Sequence, residues 1–347
     1  MREELEFFPN SAYLITDVFN RRYYSSLDCD EGYMLLLQDK YYYFADARYF
    51  YALQQKLKNT KVVPFLFTSY QDIKKVLQKE GVKTLYLDFD SVTLSEYQVY
   101  KKLCSQIKNG TKFLQQARVV KSEKEIESIE KACLIAKQAF EHVLPFIKSG
   151  VTETSIKNRL ERFMKKRGAQ RPSFNTIVAF GKNSAVPHHE TGKTKLEKNQ
   201  AVLMDFGCVV NGYSSDITRT VFYGKPSEEF VKTFNLVATA NLLVENAVKP
   251  NMPTKQADKI ARDYFKENGV DKHFTHSLGH GVGLEIHESP RLSQKSDQVI
   301  KEQMVFTIEP GLYYNGEFGV RIENTVVIIN GMAVSLTGNG RELITIE

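Results

Sequence analysis

The sequence predicts an α+β protein of two domains: a smaller α/β domain over residues 1–118, and a larger α+β domain over 119–347 made of two similar halves. Three observations lead there. Residues 1 to about 115 alternate short β-like runs with helical stretches. A capped amphipathic helix restarts the pattern near Lys121. The segment Lys148–Gly168 then recurs without gaps at Lys249–Gly269. The length of 347 residues agrees with this, at about 150 residues per domain.

In the first domain Ala12–Ile15, Tyr33–Leu37, Tyr41–Phe44, Val62–Phe67 and Thr84–Asp88 are rich in Tyr, Val, Ile and Leu and read as strands. Ala47–Leu57, Tyr70–Lys79 and Leu94–Ile107 carry apolar residues at helical spacing. The aromatic run Tyr41–Phe44 reads as core, because no basic stripe accompanies it to make a base-stacking platform. Beyond the boundary, Ser122 and Glu125 form a capping box, S-x-x-E, and the helix it starts continues toward Lys148-Ser149-Gly150. The repeat places Ile156 on Ala257, Leu160 on Ala261 and Phe163 on Tyr264, with Ala139 on Ala240 and Val143 on Val244 in the preceding helices. A shift of 101 residues is too long for a solenoid, so each half should hold two helices and a β-rich remainder.

Composition excludes several classes. Lys and Arg number 47 against 41 Asp and Glu, a net +6 with no basic block long enough for a nucleic-acid arm. The longest apolar runs, such as Val326–Ile329, are strand-sized, far below the roughly 18–20 residues that cross a bilayer. The start, Met1-Arg-Glu-Glu-Leu-Glu, is acidic and lacks the layout of a signal peptide. Cys29, Cys104, Cys133 and Cys208 are scattered with no CxxC pair, which fits neither a zinc knuckle nor a disulfide framework. A cytoplasmic protein is expected, with neither nucleic acid nor membrane as partner. There is no G-x-S-x-G elbow, H-E-x-x-H helix or G-x-x-x-x-G-K-[ST] loop, and Gly279-His-Gly-Val-Gly283 has its third glycine misplaced for a dinucleotide.

The chemistry lies in acids set inside apolar strands. Val202-Leu-Met-Asp205-Phe ends one strand; Asn211-Gly212 is a hairpin turn, and the returning strand carries Asp216 before Thr218-Arg219. If that pair forms the two turn residues, Asp205 faces Thr218 and Asp216 lies two residues along on the same face. Such diagonal positions are about 7–8 Å apart at the backbone, near enough for two carboxylates to share one ligand. Two bare carboxylates there repel or take up a proton, and a cation resolves the conflict. The second half repeats the device with Val305-Phe-Thr-Ile-Glu309 and Val320-Arg321-Ile-Glu323. A two-residue Asn315-Gly316 turn sets these glutamates on opposite faces, so a bulge or wider loop is needed, at Gly316–Gly319. Between them lies Thr275-His276-Ser-Leu-Gly-His280-Gly-Val-Gly-Leu-Glu-Ile-His287-Glu-Ser-Pro-Arg291. Four carboxylates and an imidazole are mainly hard ligands that suit Mn²⁺, Co²⁺ or Zn²⁺, with charge enough for two divalent ions.

These residues resemble the pita-bread metallopeptidases: methionine aminopeptidase, aminopeptidase P (Xaa-Pro aminopeptidase) and prolidase (Xaa-Pro dipeptidase). The stretches that carry the resemblance are Val186-Pro-His188, Leu203-Met-Asp205-Phe-Gly, Ser214-Ser-Asp216-Ile-Thr-Arg-Thr, His276-Ser-Leu-Gly-His280-Gly-Val-Gly-Leu, His287-Glu-Ser-Pro-Arg291, Thr307-Ile-Glu309-Pro-Gly and Gly319-Val-Arg-Ile-Glu323. They span most of 121–347, behind what the resemblance makes a creatinase-type N-terminal domain. That domain, with the Ser-Pro-Arg run, points to the Xaa-Pro branch.

The resemblance implies Asp205, Asp216, His280, Glu309 and Glu323 as ligands of a dinuclear centre, Asp216 and Glu323 bridging, with manganese first among the metals. It implies His188, in preference to the adjacent His189, and His287 as substrate-contacting catalytic histidines, and Arg291 as a partner for a substrate carboxylate. His276, Arg219 and Arg321 are expected behind the ligands, orienting them. A pair of ions lowers the pKa of a bridging water so that hydroxide attacks the carbonyl before proline, with Glu309 shuttling the proton. The expected activity is an Xaa-Pro aminopeptidase acting on proline-containing peptides, the alternative a prolidase, and a homodimer is implied. A reading of another class, a catalytically inactive pita-bread binding module, is opposed by the presence of all five ligands.

Overall fold

The computed structural model describes residues 5–347; the acidic start read above lies largely outside the described residues. The chain divides into two compact units, one up to Arg118 and one from Val119 to Glu347. The first is a six-stranded mixed sheet with helices between its strands. Its elements are β1 (Ser11–Ile15), α1 (Val18–Ser25), β2 (Tyr33–Leu36), β3 (Tyr41–Ala45), α2 (Ala47–Lys56), β4 (Val62–Leu66), α3 (Tyr70–Lys79), β5 (Thr84–Leu87), α4 (Leu94–Tyr100), β6 (Gln106–Asn109) and α5 (Thr111–Val119), and the strand order is β4-β3-β2-β1-β5-β6. The run Tyr41–Phe44 is buried in β3, with Tyr41 and Tyr43 in one core and Tyr42 and Phe44 in the other. The helix expected over Leu94–Ile107 stops at Tyr100, and Gln106–Asn109 instead pairs in parallel with β5. That edge strand exists through pairing with a distant segment, which helical spacing does not reveal. α1 was also not foreseen; Asp17 caps it by accepting from the Asn20 amide at 2.7 Å.

In the second unit the capping box forms as read: the Ser122 amide donates to Glu125 Oε2 at 2.8 Å and starts α6 (Glu123–Val143). α6 ends before the expected glycine because Pro145 cannot continue it, and a short 3₁₀ turn follows. α7 (Glu153–Lys166) comes next, then β7 (Arg171–Pro172), β8 (Ile177–Phe180), β9 (Gln200–Phe206), β10 (Cys208–Val210), β11 (Tyr213–Ser214) and β12 (Ile217–Tyr223). The second half holds α8 (Glu228–Ala247), α9 (Thr254–Glu267), β13 (Gly279–Gly281), β14 (Glu288–Leu292), β15 (Val305–Ile308), β16 (Gly311–Tyr314), β17 (Phe318–Arg321), β18 (Asn324–Ile329), β19 (Met332–Ser335) and β20 (Thr345–Ile346).

The duplication is visible in three dimensions. α7 and α9 have the same length at the repeat spacing. Ala139, Ala240, Val143, Val244, Leu160 and Ala261 are all buried, and the chain bends at Gly150 and Asn251 with φ of 79° and 69°. The Gly150 amide donates to Leu196 O, and the Asn251 amide to Ile300 O in the same way. The first half forms the sheet β12-β9-β8, which β20 from the end of the chain joins beside β12, and the second half forms β14-β13-β15-β18-β19. The halves meet where Thr218 bridges Glu323 and Thr220 Oγ1 donates to Arg321 O at 2.9 Å.

Candidate metal centre

The acids gather along this junction of the halves. Asn211 and Gly212, with φ of 50° and 81°, form the two-residue turn, and the ladder that it sets pairs Asp205 with Thr218 as the turn predicts. β9 and β12 lose regular pairing beside Asp216, where Gly207 passes so close that a Cβ would lie 1.9 Å from Ser215 O. In the second half the loop is the wider alternative: Asn315-Gly316-Glu317 joins Tyr314 to Phe318. Gly316, with φ +83°, turns the chain, while Gly319 is already inside β17. The same register runs on into the β15–β18 pair, Ile308 facing Asn324, so Glu309 and Glu323 fall in step. There the two strands part: the Glu309 amide donates to Leu278 O at 2.9 Å and the Glu323 amide to Thr218 O at 3.1 Å.

Ligand atoms of Asp216, His280 and Glu323 all lie within 4.8 Å of one another. His280 Nε2 is 3.6 Å from Asp216 Oδ2 and 3.3 Å from Glu309 Oε1. Asp205 completes the group and is held by Arg321, whose Nη2 donates to its Oδ2 at 2.6 Å. Burial raises Asp216 well above the usual carboxylate range, and the charges of Glu323, Asp205 and Glu309 add to the shift. Glu323 is raised by burial and then by Glu309 and Asp205. Burial lifts Glu309 to about 8. His280 moves the other way, to about 3, mainly because burial disfavours its cation.

This donor set fits divalent cations. His280 Nδ1 lies 3.1 Å from Gly281 O, which can only accept, so Nδ1 carries the proton and Nε2 turns a lone pair on two carboxylates. Asp205 Oδ1 and Asp216 Oδ1 are buried without a hydrogen-bond partner among the described residues. Lone pairs gathered in a buried site are stable around positive charge and costly without it.

Around the cluster, the His287 ring stands edge-on to His280 with centroids 4.2 Å apart, and burial and then Arg291 lower its pKa. His188 is exposed and near enough to His276 and His287 to depress both pKa values. His189 is turned away: its Nε2 lies 3.0 Å from the buried Glu153 Oε2. His276 pairs with Tyr313 Oη at 2.9 Å, which also accepts from Arg321 Nη1 at 2.8 Å. Arg321 therefore joins His276, through Tyr313, to Asp205. Arg219 meets Glu323 differently, donating at 2.6 Å to its main-chain oxygen and not to its carboxylate.

Residue spacing did not single out Tyr313, Glu153 or the ion pair of Lys121 with Glu288 at 2.5 Å, all buried, because their roles rest on partners far away in sequence.

Comparison with known proteins gives concordant matches. The model of metallopeptidase family M24 matches residues 127–330, and that of the creatinase/prolidase N-terminal domain matches residues 6–120. The Xaa-Pro dipeptidase of Pyrococcus furiosus is 40% identical over 83% of this chain and 77% of its own. Among solved structures, the Xaa-Pro dipeptidase from Bacillus anthracis is 34% identical with a TM-score of 0.92, over 96% of this chain and 95% of that one. The X-Pro aminopeptidase from Thermotoga maritima is 32% identical with a TM-score of 0.88, over 97% of both. The architecture is the pita-bread fold preceded by a creatinase-type domain.

Proposed function

The chain belongs to metallopeptidase family M24, and on that premise we propose a dinuclear metallo-exopeptidase that hydrolyses the bond between a first residue and a following proline, with the Xaa-Pro dipeptide as preferred substrate. The observation that carries this reading is the convergence of Asp216, His280 and Glu323 within 4.8 Å, with Asp205 and Glu309 beside them. These five side chains hold the ions in this reading, manganese first.

The ions supply Lewis acidity and lower the pKa of water at the site. As water oxygen bonds to the carbonyl carbon, Glu309, steadied by the hydroxyl of Thr307 at 3.2 Å, would take a proton from that water and pass it to the proline nitrogen as the C–N bond breaks. His188 and His287 donate to the substrate carbonyl and to the oxyanion that develops on it. Arg321 keeps Asp205 oriented through the 2.6 Å bond. A proline amide has no N–H, so the pocket needs no acceptor for one.

Preference for the dipeptide reverses the order expected from the sequence. Supporting it are the two relatives named Xaa-Pro dipeptidase and the guanidinium of Arg291, close enough to His287 to shift it, which suits a C-terminal carboxylate. The match to the Thermotoga maritima enzyme favours the second reading, an Xaa-Pro aminopeptidase. Hydrolysis of Xaa-Pro and Xaa-Pro-Xaa, compared with several metals, separates them: a higher kcat/KM for the longer peptide overturns the dipeptidase. Gently purified protein without divalent ions, and inactive with added manganese, would instead favour the binding module. A cytoplasmic homodimer belongs to the same reading; its four free thiols suit a reducing compartment, and light scattering measures the assembly.

A further inference from the structure

Resting on the reading that Glu309 and Glu323 hold the ions, we infer that Asn241 is a positioning residue that fixes the distance between these two carboxylates and so sets how tightly the ion pair is bound. Asn241 is fully buried on α8, a helix whose other inward residues include Val237, Ala240 and Val244. In the first half the repeat places Phe140 at the matching position, a buried apolar side chain. An amide in such a place is costly unless it is fully bonded, and this one is.

Its Nδ2 donates to Ile308 O at 2.7 Å and to Ile322 O at 3.2 Å. These are the residues immediately before Glu309 and Glu323, at the point where the strands part and both glutamate amides bond elsewhere. Oδ1 accepts from Arg341 Nε at 2.9 Å and Asn324 Nδ2 at 3.3 Å. Two donors and two acceptors are the whole capacity of an amide. Its orientation is also forced, because carbonyls cannot donate and a guanidinium cannot accept.

One side chain therefore spans the opening between the glutamate-bearing strands and is anchored from behind. Arg341 is itself paired with Glu245, and Asn324 accepts from Arg219 Nη2 at 3.0 Å while Arg219 Nη1 holds Glu323 O. Phe140, at the matching place, is apolar and makes no such bonds.

The test uses the full chain, stripped by chelation and titrated with Mn²⁺, with free ion and spin-coupled pairs followed by electron paramagnetic resonance. Asn241→Leu is expected to weaken binding by about 10–100-fold, as loss of an outer partner of a metal ligand does, and to lose the coupled signal. Val237→Ala, on the same helix, is expected to lower Tm and leave both readouts unchanged. Arg341→Gln, which removes one anchor of the amide, is expected to shift affinity in the same direction by less, and serves if Asn241→Leu does not fold. Wild-type affinity and coupling in Asn241→Leu, or in Arg341→Gln where the first variant is unfolded, overturn the inference. Equal losses in Val237→Ala overturn it too. If the wild-type chain itself binds no Mn²⁺, the metallopeptidase reading falls first, and this inference with it.

Discussion

A neutral imidazole facing two carboxylate oxygens is an arrangement that only a positive charge makes comfortable. Asp216→Asn removes one of those carboxylates while keeping its shape, and is expected to reduce hydrolysis to background and lower the bound metal measured by elemental analysis. Arg321→Met keeps every proposed ligand but removes the guanidinium that bonds Asp205 and Tyr313. Its expected effect is metal binding weakened by about 10–100-fold, read by titration. The raised pKa values also fix a sign. A carboxylate whose pKa rises on folding holds its proton more tightly when folded. For Glu309 in stripped protein, the stabilisation is full below the ordinary value of 4.5 and is lost as pH climbs through about 8. Asp216 and Glu323 shift in the same direction. A bound cation replaces the proton, so the Tm difference between loaded and stripped protein should widen between about pH 5 and about pH 8. A difference that stays level or narrows contradicts the cluster as described.

At the level of elements, two of the anchors, Glu153 and Asn241, come from helices, while strands and the breaks between them carry the proposed ligands. Glu153, at the start of α7, accepts from the amides of Phe180 and Gly192, each at 3.0 Å, from Asn183 Nδ2 at 2.8 Å, and faces His189 at 3.0 Å. Glu153→Ala strands the buried Phe180 amide, at a cost of about 1–3 kcal/mol, and takes a partner from the half-buried Gly192 amide. A fall in Tm is expected, with kcat reduced because the loop bearing His188 loses its anchor. Element chemistry also explains what could be read in advance. Asn211-Gly212 is a local signal that dictates a register, so the placement of Asp205 against Thr218 was legible. In the second hairpin the need for an even register was legible, but the choice of Asn315-Gly316-Glu317 as the loop was not, since several loops satisfy it. α4 was read too long because β6 exists only by pairing with β5. Tyr313 and Asn241 were invisible for the same reason: their partners are set by tertiary structure, and a tyrosine or asparagine in an apolar stretch carries no local mark of it.

For the whole molecule, every proposed ligand lies in the unit from Val119 to Glu347, while the unit up to Arg118 has two cores of its own. A ligand stabilises only what binds it. Calorimetry of the full chain with and without chelator should therefore show one unfolding transition moving and another staying in place; a common shift of both would mean that the units unfold together. The duplication inside the larger unit has one more consequence. Asp205 and Asp216 belong to its first half, and His280, Glu309 and Glu323 to its second. Neither half carries all five of the proposed ligands. In the proposed reading a divalent cation is a rivet between the two copies, so the pieces of a chain cut between them, near Lys225, should hold to each other more tightly with manganese than without it.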